Sequence, residues 1–320
     1  MIALKNVRAG YATKTGFVAA VDDVSLTVQD EEILGIAGES GCGKSTLLKV
    51  LYGHFGSALS LASGTVQAQF KDAASGATVT HGAHQLRELW WKQLSYVPQG
   101  SMSVMNPVTR IEAQMLEALP QAMRQRGGKA LRSEIEAFLS ELKLPASVLT
   151  AYPHQLSGGM RQRVMIAMAC FFYPRLILAD EPTTALDVVV QKSILLLLVA
   201  IQRWQKNALV IVSHDLGVHY QITERIAIAY AGKIVEIGPT REVFANPRHP
   251  YTQALIDSLP RMGDRSLRRG IEGRPPDLAH PPAGCRFAAR CAKAADVCRQ
   301  TSPELLDRAP GHAVACYFSV

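Results

Sequence analysis

At 320 residues and 34.8 kDa, the chain holds one large domain or two modest ones and can bury a sizeable core. Its 48% hydrophobic and 19% charged residues are ordinary globular composition, and no apolar run approaches the roughly 20 residues that span a bilayer. A net charge of +7 is compatible with anionic lipid, nucleotide or nucleic acid, but no dense Lys/Arg block with interleaved aromatics supports the last of these.

Residues 1 to about 80 read as β-rich. Met1-Ile2-Ala3-Leu4-Lys5 enters a strand-like pattern directly and has no signal-peptide pattern, so the cytoplasm is the expected location. Ile2 to Val7 and Val24 to Val28 alternate like half-buried strands. Ile33 to Ala37 is an apolar run ending in glycines, which predicts a buried strand feeding a loop, with a helix over Ser45 to Tyr52. From Ile111 to about Leu144 the apolar spacing turns helical, as an insertion into an αβ core that resumes at Leu176 to Ala179 and Leu209 to Val212. Ile194 to Ile201, flanked by Gln191, Lys192, Gln202 and Arg203, reads as a buried helix. Arg225 to Tyr230 and Lys233 to Ile237, joined by Ala231-Gly232, read as a hairpin. Near Asn246 the composition changes, and Pro247, Pro250, Pro260, Pro275-Pro276 and Pro281-Pro282 mark a linker-rich tail.

Gly38-Glu39-Ser40-Gly41-Cys42-Gly43-Lys44-Ser45-Thr46 fits a phosphate loop in its required strand-to-helix setting. Its glycines let the backbone turn tightly and bring amides to phosphate oxygens. Lys44 supplies a point charge for the β- and γ-phosphates, and Ser45 a hydroxyl for Mg²⁺. Cys42 contributes its backbone. Asp180-Glu181 ends an apolar run, placing two carboxylates beside that loop: Asp180 to hold Mg²⁺ and Glu181 to polarise the attacking water. His214, at the end of another apolar run, is placed to bond the γ-phosphate or that water. Leu156-Ser157-Gly158-Gly159-Met160-Arg161-Gln162-Arg163 offers a hydroxyl and two bare amides at a predicted helix N-terminus, a second phosphate cradle. One nucleotide does not need two cradles from one chain. The pair therefore points to an ATPase that is complete only as a dimer.

Taken in this order, the motifs resemble the nucleotide-binding subunit of ABC transporters over residues 1 to 245. The resemblance implies an α/β fold of the P-loop NTPase class: a RecA-like mixed-sheet core, an antiparallel β subdomain and a helical subdomain at about 108–170. It makes Gly38 to Ser45 the Walker A loop, Gln99 the Q-loop glutamine and a Mg²⁺ contact, and Leu156 to Arg163 the signature. Leu176 to Asp180 becomes Walker B, Glu181 the catalytic glutamate, Ala185-Leu186-Asp187 the D-loop and His214 the switch histidine. Tyr11 resembles the aromatic that stacks on adenine. Each ATP then lies between one subunit's Walker A and its neighbour's Ser157-Gly158-Gly159. Gly100 to Pro107 resembles the membrane-domain contact surface, with Gly100-Ser101-Met102 in place of the frequent acidic or aromatic wording.

Residues 246–320 resemble the C-terminal extension of oligopeptide/dipeptide importer ATPases, through His249-Pro250-Tyr251-Thr252-Gln253-Ala254-Leu255 and Gly284-Cys285-Arg286-Phe287. Asn106-Pro107 and Tyr152-Pro153-His154-Gln155 resemble the same branch. It implies a homologous but different partner ATPase, two permeases, an extracytoplasmic binding protein and a peripheral place at the cytoplasmic face of the bacterial inner membrane. Cys285, Cys291, Cys298 and Cys316 are spaced more widely than a zinc ribbon. Four thiolates suit a [4Fe–4S] cluster, which members of this branch can carry; zinc, or unligated or disulfide-linked cysteines, are the alternatives. Cys170 falls on an apolar helix and reads as core. A soluble ABC-type ATPase acting on nucleic acid or ribosomes is the alternative function, but tandem ATPase domains, coiled-coil insertions and a basic arm are missing. The tail also disfavours an exporter.

Overall fold

Short runs of aliphatic residues with no polar alternation favour strands buried on both faces, and five such runs form the parallel centre of the molecule. The computed structural model describes residues 1–14, 16–56, 58–71, 76–100, 104–259 and 270–319; Ser101-Met102 and Pro260, singled out above, lie outside them. The parallel strands are β3 (Ile33–Ala37), β6 (Leu94–Val97), β7 (Leu176–Asp180), β8 (Ala208–Val212) and β9 (Arg225–Tyr230), in the spatial order β9-β3-β8-β7-β6. Successive side chains leave opposite faces. Ile177 and Ala179 enter one apolar cluster with Ile135, Phe138, Val164 and Leu198. Leu176 and Leu178 enter another with Leu47, Leu48 and Leu51 of the helix Lys44–Tyr52.

An antiparallel sheet, β1 (Ile2–Thr13), β2 (Gly16–Val28), β4 (Leu59–Lys71) and β5 (Thr78–Gly82), is ordered β2-β1-β4-β5, and the inner faces of β1, β2 and β4 enter that second cluster. The helix after the phosphate loop is thus clamped between two sheets. On the other face, the predicted helical stretch is three helices, Ile111–Ala118, Gln121–Arg126 and Gly128–Glu141, followed by Gly158–Cys170. Gly127, at φ 44°, breaks the second from the third. The helix Val188–Gln205 is long and apolar enough to cross a bilayer by length and composition. Its residues Ile194, Leu195, Leu197, Leu198 and Ile201 are buried in the first cluster, whereas Leu196 is 57% exposed. It is therefore a one-faced core helix rather than one buried all round.

The proline-rich C-terminal segment folds back onto the core. β10 (Lys233–Pro239) pairs antiparallel with β9, as the Ala231-Gly232 turn predicts. The hairpin β11 (Leu306–Ala309) and β12 (His312–Val314) then extends the same sheet, with Glu236 opposite Val314. Edge pairing of this kind covers backbone groups that would otherwise stay unpaired. A third apolar cluster, with Ile226, Ile228, Tyr230, Val235, Tyr251 and Phe287, fastens the segment to β9 and β10. The buried Glu236 carboxylate accepts the N–H groups of Arg248 and His249 at 2.9 Å each, and His312 Nε2 lies 2.7 Å from it.

Candidate functional site

Parallel strands bring their C-terminal ends to one edge of a sheet, where the following loops must converge. The phosphate loop follows β3, Tyr96 and Gln99 lie at the end of β6, Asp180 and Glu181 at the end of β7, and His214 just after β8. Between them opens a cavity of about 630 Å³, lined by Tyr11, Ser40, Gly41, Gly43, Lys44, Ser45, Thr46, Gln99, Glu181 and His214. A volume in this range suits a nucleotide-sized ligand. The helix Lys44–Tyr52 points its N-terminus into the cavity and carries no acidic residue in its first turn. Its free amides and positive dipole end favour an anion there.

The loop's shape depends on glycine at two close approaches. Gly43 has φ 103°, and a Cβ there would lie 2.0 Å from the Ala20 carbonyl oxygen. At Gly38, φ 152°, it would lie 2.1 Å from the Ala229 carbonyl oxygen. Lys44 Nζ donates to the carbonyls of Gly38 at 2.8 Å and Glu39 at 2.9 Å, so the ammonium is held over the loop. Gly38 and Cys42 shape the loop without lining the cavity. Cys42 is buried, and burial pushes its thiol up. Cys170 is likewise buried within the first cluster. Tyr11 does line the cavity, with its hydroxyl 3.1 Å from Thr46 Oγ1.

The acidic groups are individually held. Ser45 Oγ donates to Asp180 Oδ1 at 2.9 Å, and the Tyr96 hydroxyl donates to Oδ2 at 2.8 Å. Burial, with the Asp180 charge beside it, holds the Tyr96 phenol far above its ordinary value, so it stays a donor. The serine and carboxylate together offer the hard oxygen ligands that Mg²⁺ prefers. Glu181 sits at φ 44°, a left-handed backbone uncommon for a non-glycine residue and typical of sites where geometry overrides propensity. Gln99 Nε2 lies 3.2 Å and Thr184 Oγ1 2.8 Å from Glu181 Oε2, and His214 Nδ1 lies 3.2 Å from Oε1. The structure therefore brings Lys44, Ser45, Asp180, Gln99, Glu181 and His214 to one place. Behind them, buried His219 bonds the Ser213 carbonyl through Nε2 at 3.1 Å, bracing the residue before His214. Desolvation pulls His219 down to about 4.

Ser157, Gly158 and Gly159 are absent from that cavity's lining. Ser157 caps the helix Gly158–Cys170, its hydroxyl accepting the Met160 N–H at 3.3 Å. A Cβ on Gly159 would lie 2.8 Å from Val190 Cγ1. The motif therefore takes no part in the chain's own cavity.

Sequence reasoning missed Tyr96, Thr184 and Leu278. Thr184 lies just before the Ala185-Leu186-Asp187 motif, but its bond to Glu181 needs the turn. Tyr96 looks like any strand aromatic. Leu278, from the C-terminal segment, lines the nucleotide cavity beside Val18 and Ala20, and no local pattern announces it. A separate cavity of about 570 Å³ includes Trp91, Val104, Met105, Glu117, Met165 and Met168, with Trp91 and Val104 exposed.

The four C-terminal cysteines line one narrow pocket of about 20 Å³ with His249, Phe287, Tyr317 and Phe318. None is in a disulfide. Burial pushes up the thiols of Cys285, Cys291 and Cys316. Among the described residues, no group of three or more His, Cys, Asp or Glu is arranged as a metal site.

Comparison with known proteins places residues 21–184 in the ABC transporter family and residues 235–298 in the oligopeptide/dipeptide transporter C-terminal region. The chain is 37% identical over 322 residues to the dipeptide transport ATP-binding protein DppD of Bacillus subtilis (strain 168), covering 99% of this chain and 94% of that one. It is 36% identical over 332 residues to the oligopeptide transport ATP-binding protein OppD of Escherichia coli (strain K12), covering 100% and 94%. Among solved structures, a dimeric post-hydrolysis state of the ATP-binding cassette MJ0796 bound to ADP and phosphate superposes with a TM-score of 0.62. Its sequence identity is 27%, over 75% of this chain and 99% of that one. CbiO1 of Clostridium perfringens, part of the ABC transporter complex cbiONQ, shares the fold at a TM-score of 0.60 and 22% identity, over 76% and 90%.

Proposed function

This chain belongs to the ABC transporter family, and from that premise we propose that it powers peptide import through partner permeases. It is the ATP-binding and ATP-hydrolysing subunit of an importer and associates peripherally with the membrane. The observation that carries the reading is the convergence of Lys44, Ser45, Gln99, Glu181 and His214 on one nucleotide-sized cavity, with Asp180 bonded to Ser45 behind it. Peptide as cargo follows from the names of its relatives, DppD and OppD.

In the proposed mechanism the triphosphate lies on the loop amides, with Lys44 released from the Gly38 and Glu39 carbonyls to the β- and γ-phosphates. Tyr11 stacks on adenine. Ser45, Asp180 and Gln99 would hold Mg²⁺, which would neutralise phosphate charge when bound. Glu181 accepts the proton of the attacking water, and His214, already 3.2 Å from Glu181, steadies the water and the γ-phosphate. Ser157, Gly158 and Gly159 complete the neighbouring subunit's site, closing it against solvent. MJ0796 is dimeric in its ADP- and phosphate-bound form; here a sister ATPase is the proposed neighbour. The open cavity beside Trp91 and Val104 is suited to a permease element, with an extracytoplasmic binding protein beyond it. The proposed location is the cytoplasmic face of a bacterial inner membrane. Residues 1–245 form the proposed ATPase domain, with a helical subdomain at about 108–170, and residues 246–320 the extension.

Replacing Glu181 with Gln should preserve MgATP binding and cut turnover by about 10³-fold, the scale of a lost general base. Hydrolysis at the wild-type rate would overturn Glu181's role. Enrichment of RNA instead of two hydrophobic permeases on purification would favour the soluble alternative. For the extension, we propose that Cys285, Cys291, Cys298 and Cys316 hold a [4Fe–4S] cluster. Four thiols line one apolar pocket, and a cluster spreads its ligands over separate irons instead of crowding them on one ion. Anaerobically purified protein should then be brown, absorbing near ~400 nm; colourless protein with stoichiometric zinc would refute it.

A further inference from the structure

Glu39, inside the phosphate loop, is held at three points. Its N–H donates to the Tyr251 hydroxyl at 2.9 Å. Its carbonyl accepts from Lys44 Nζ at 2.9 Å. Its carboxylate takes a two-pronged pair from Arg290, whose two terminal nitrogens lie 2.7 and 2.9 Å from its oxygens. Two of these three partners, Tyr251 and Arg290, belong to the C-terminal extension.

Arg290 is itself fully committed. Its Nε donates to the Glu272 carbonyl at 2.8 Å, and its remaining N–H groups reach the Ile271 carbonyl at 3.0 Å and the Tyr230 hydroxyl at 3.2 Å. All five guanidinium donors are thereby used, and the side chain is 5% exposed. Its face lies over the Tyr230 and Phe287 rings. A planar fork so fully engaged fixes position as well as charge.

Glu39 presents a problem that this pairing answers. A carboxylate in the loop that receives a triphosphate repels the ligand unless it is neutralised and turned away. We propose that Arg290 is a positioning residue for the phosphate loop, neutralising and anchoring Glu39 so that the C-terminal extension becomes a working part of the nucleotide site. Leu278, from the same extension, lines the cavity in keeping with this. The inference rests on the ATP-binding reading above.

The test measures MgATP and adenosine dissociation constants, KM and kcat on the full-length protein. Arg290→Ala should weaken MgATP binding about tenfold, the scale of one lost charge-assisted pair, while adenosine binding changes little. Adding Glu39→Gln to R290A removes the unpaired charge and should recover most of that loss. A clip that merely stabilises the fold would give an additive loss in the double variant and an equal loss for adenosine. Unchanged MgATP affinity in R290A, or no recovery in the double variant, overturns the proposal. Should R290A not fold, R290K keeps the charge but loses the fork; a threefold weakening (about 0.7 kcal/mol) is then expected, and none would overturn it. Wild-type protein that binds no MgATP would instead refute the underlying reading.

Discussion

Around the phosphate loop, each functional group is delivered by backbone. Strand ends set Asp180, Glu181 and His214 in place, glycines shape the loop, and a helix N-terminus faces the ligand. The C-terminal extension is held differently, through single side chains that each satisfy several distant partners. Glu236 collects Arg248, His249 and His312; Arg286 pairs with Asp22 and the Ala231 carbonyl; Arg290 joins Glu39 to Tyr230. The first arrangement tolerates variation in side chains away from the motifs because the sheet carries the geometry. The second concentrates its stability in a few buried polar groups, so single substitutions there are costly.

The largest effect should come from Glu236→Ala, which leaves two N–H groups and His312 without their shared acceptor. We expect a loss of about 3–5 kcal/mol, read by urea unfolding, with the extension cut first in limited proteolysis. A uniform loss with no early cleavage of the extension would erase the contrast between the two regions. Next comes acid sensitivity through His219, which is neutral when folded. Its folded value near 4 lies below the ordinary 6.5, so only the unfolded chain takes up a proton between those two pH values. Stability should be complete above pH 6.5 and fall by about 3 kcal/mol towards pH 4, then level off for this group. His219→Gln should flatten that slope, and an unaltered slope would remove His219 as its source. The smallest effect is expected from Tyr96→Phe, which takes one donor from Asp180. About 1 kcal/mol should appear as a several-fold higher Mg²⁺ requirement with the folding midpoint nearly unmoved. A large fall in stability instead would make Tyr96 a core residue first.

The cassette's chemistry was legible because its groups are contiguous in sequence. Gly38 to Thr46 fixes its own turn, and Leu176 to Glu181 fixes its own exit from the sheet. Strands and helices followed from apolar period, with the helical insertion broken into pieces at Gly127, where a long-period pattern gives no warning. Tyr96 and Thr184 were invisible as site residues because their roles depend on partners 84 and 3 residues away whose orientation only the folded turns set. The cysteines were legible as a group, since four thiols within 32 positions stand out by count.

The sequence by itself determined the fold class and the nucleotide chemistry, because hydrophobic period and phosphate-loop geometry are local properties of the chain, and the resemblance of His249 to Leu255 and Gly284 to Phe287 added the kinship with peptide importers. Only the tertiary structure decided that the proline-rich segment adds β11 and β12 to the core sheet and reaches the phosphate loop through Tyr251, Leu278 and Arg290. Arg290 and Glu39 are 251 positions apart. A pairing that distant leaves no periodic trace, and it forms only when the fold brings a buried guanidinium against a part-exposed carboxylate.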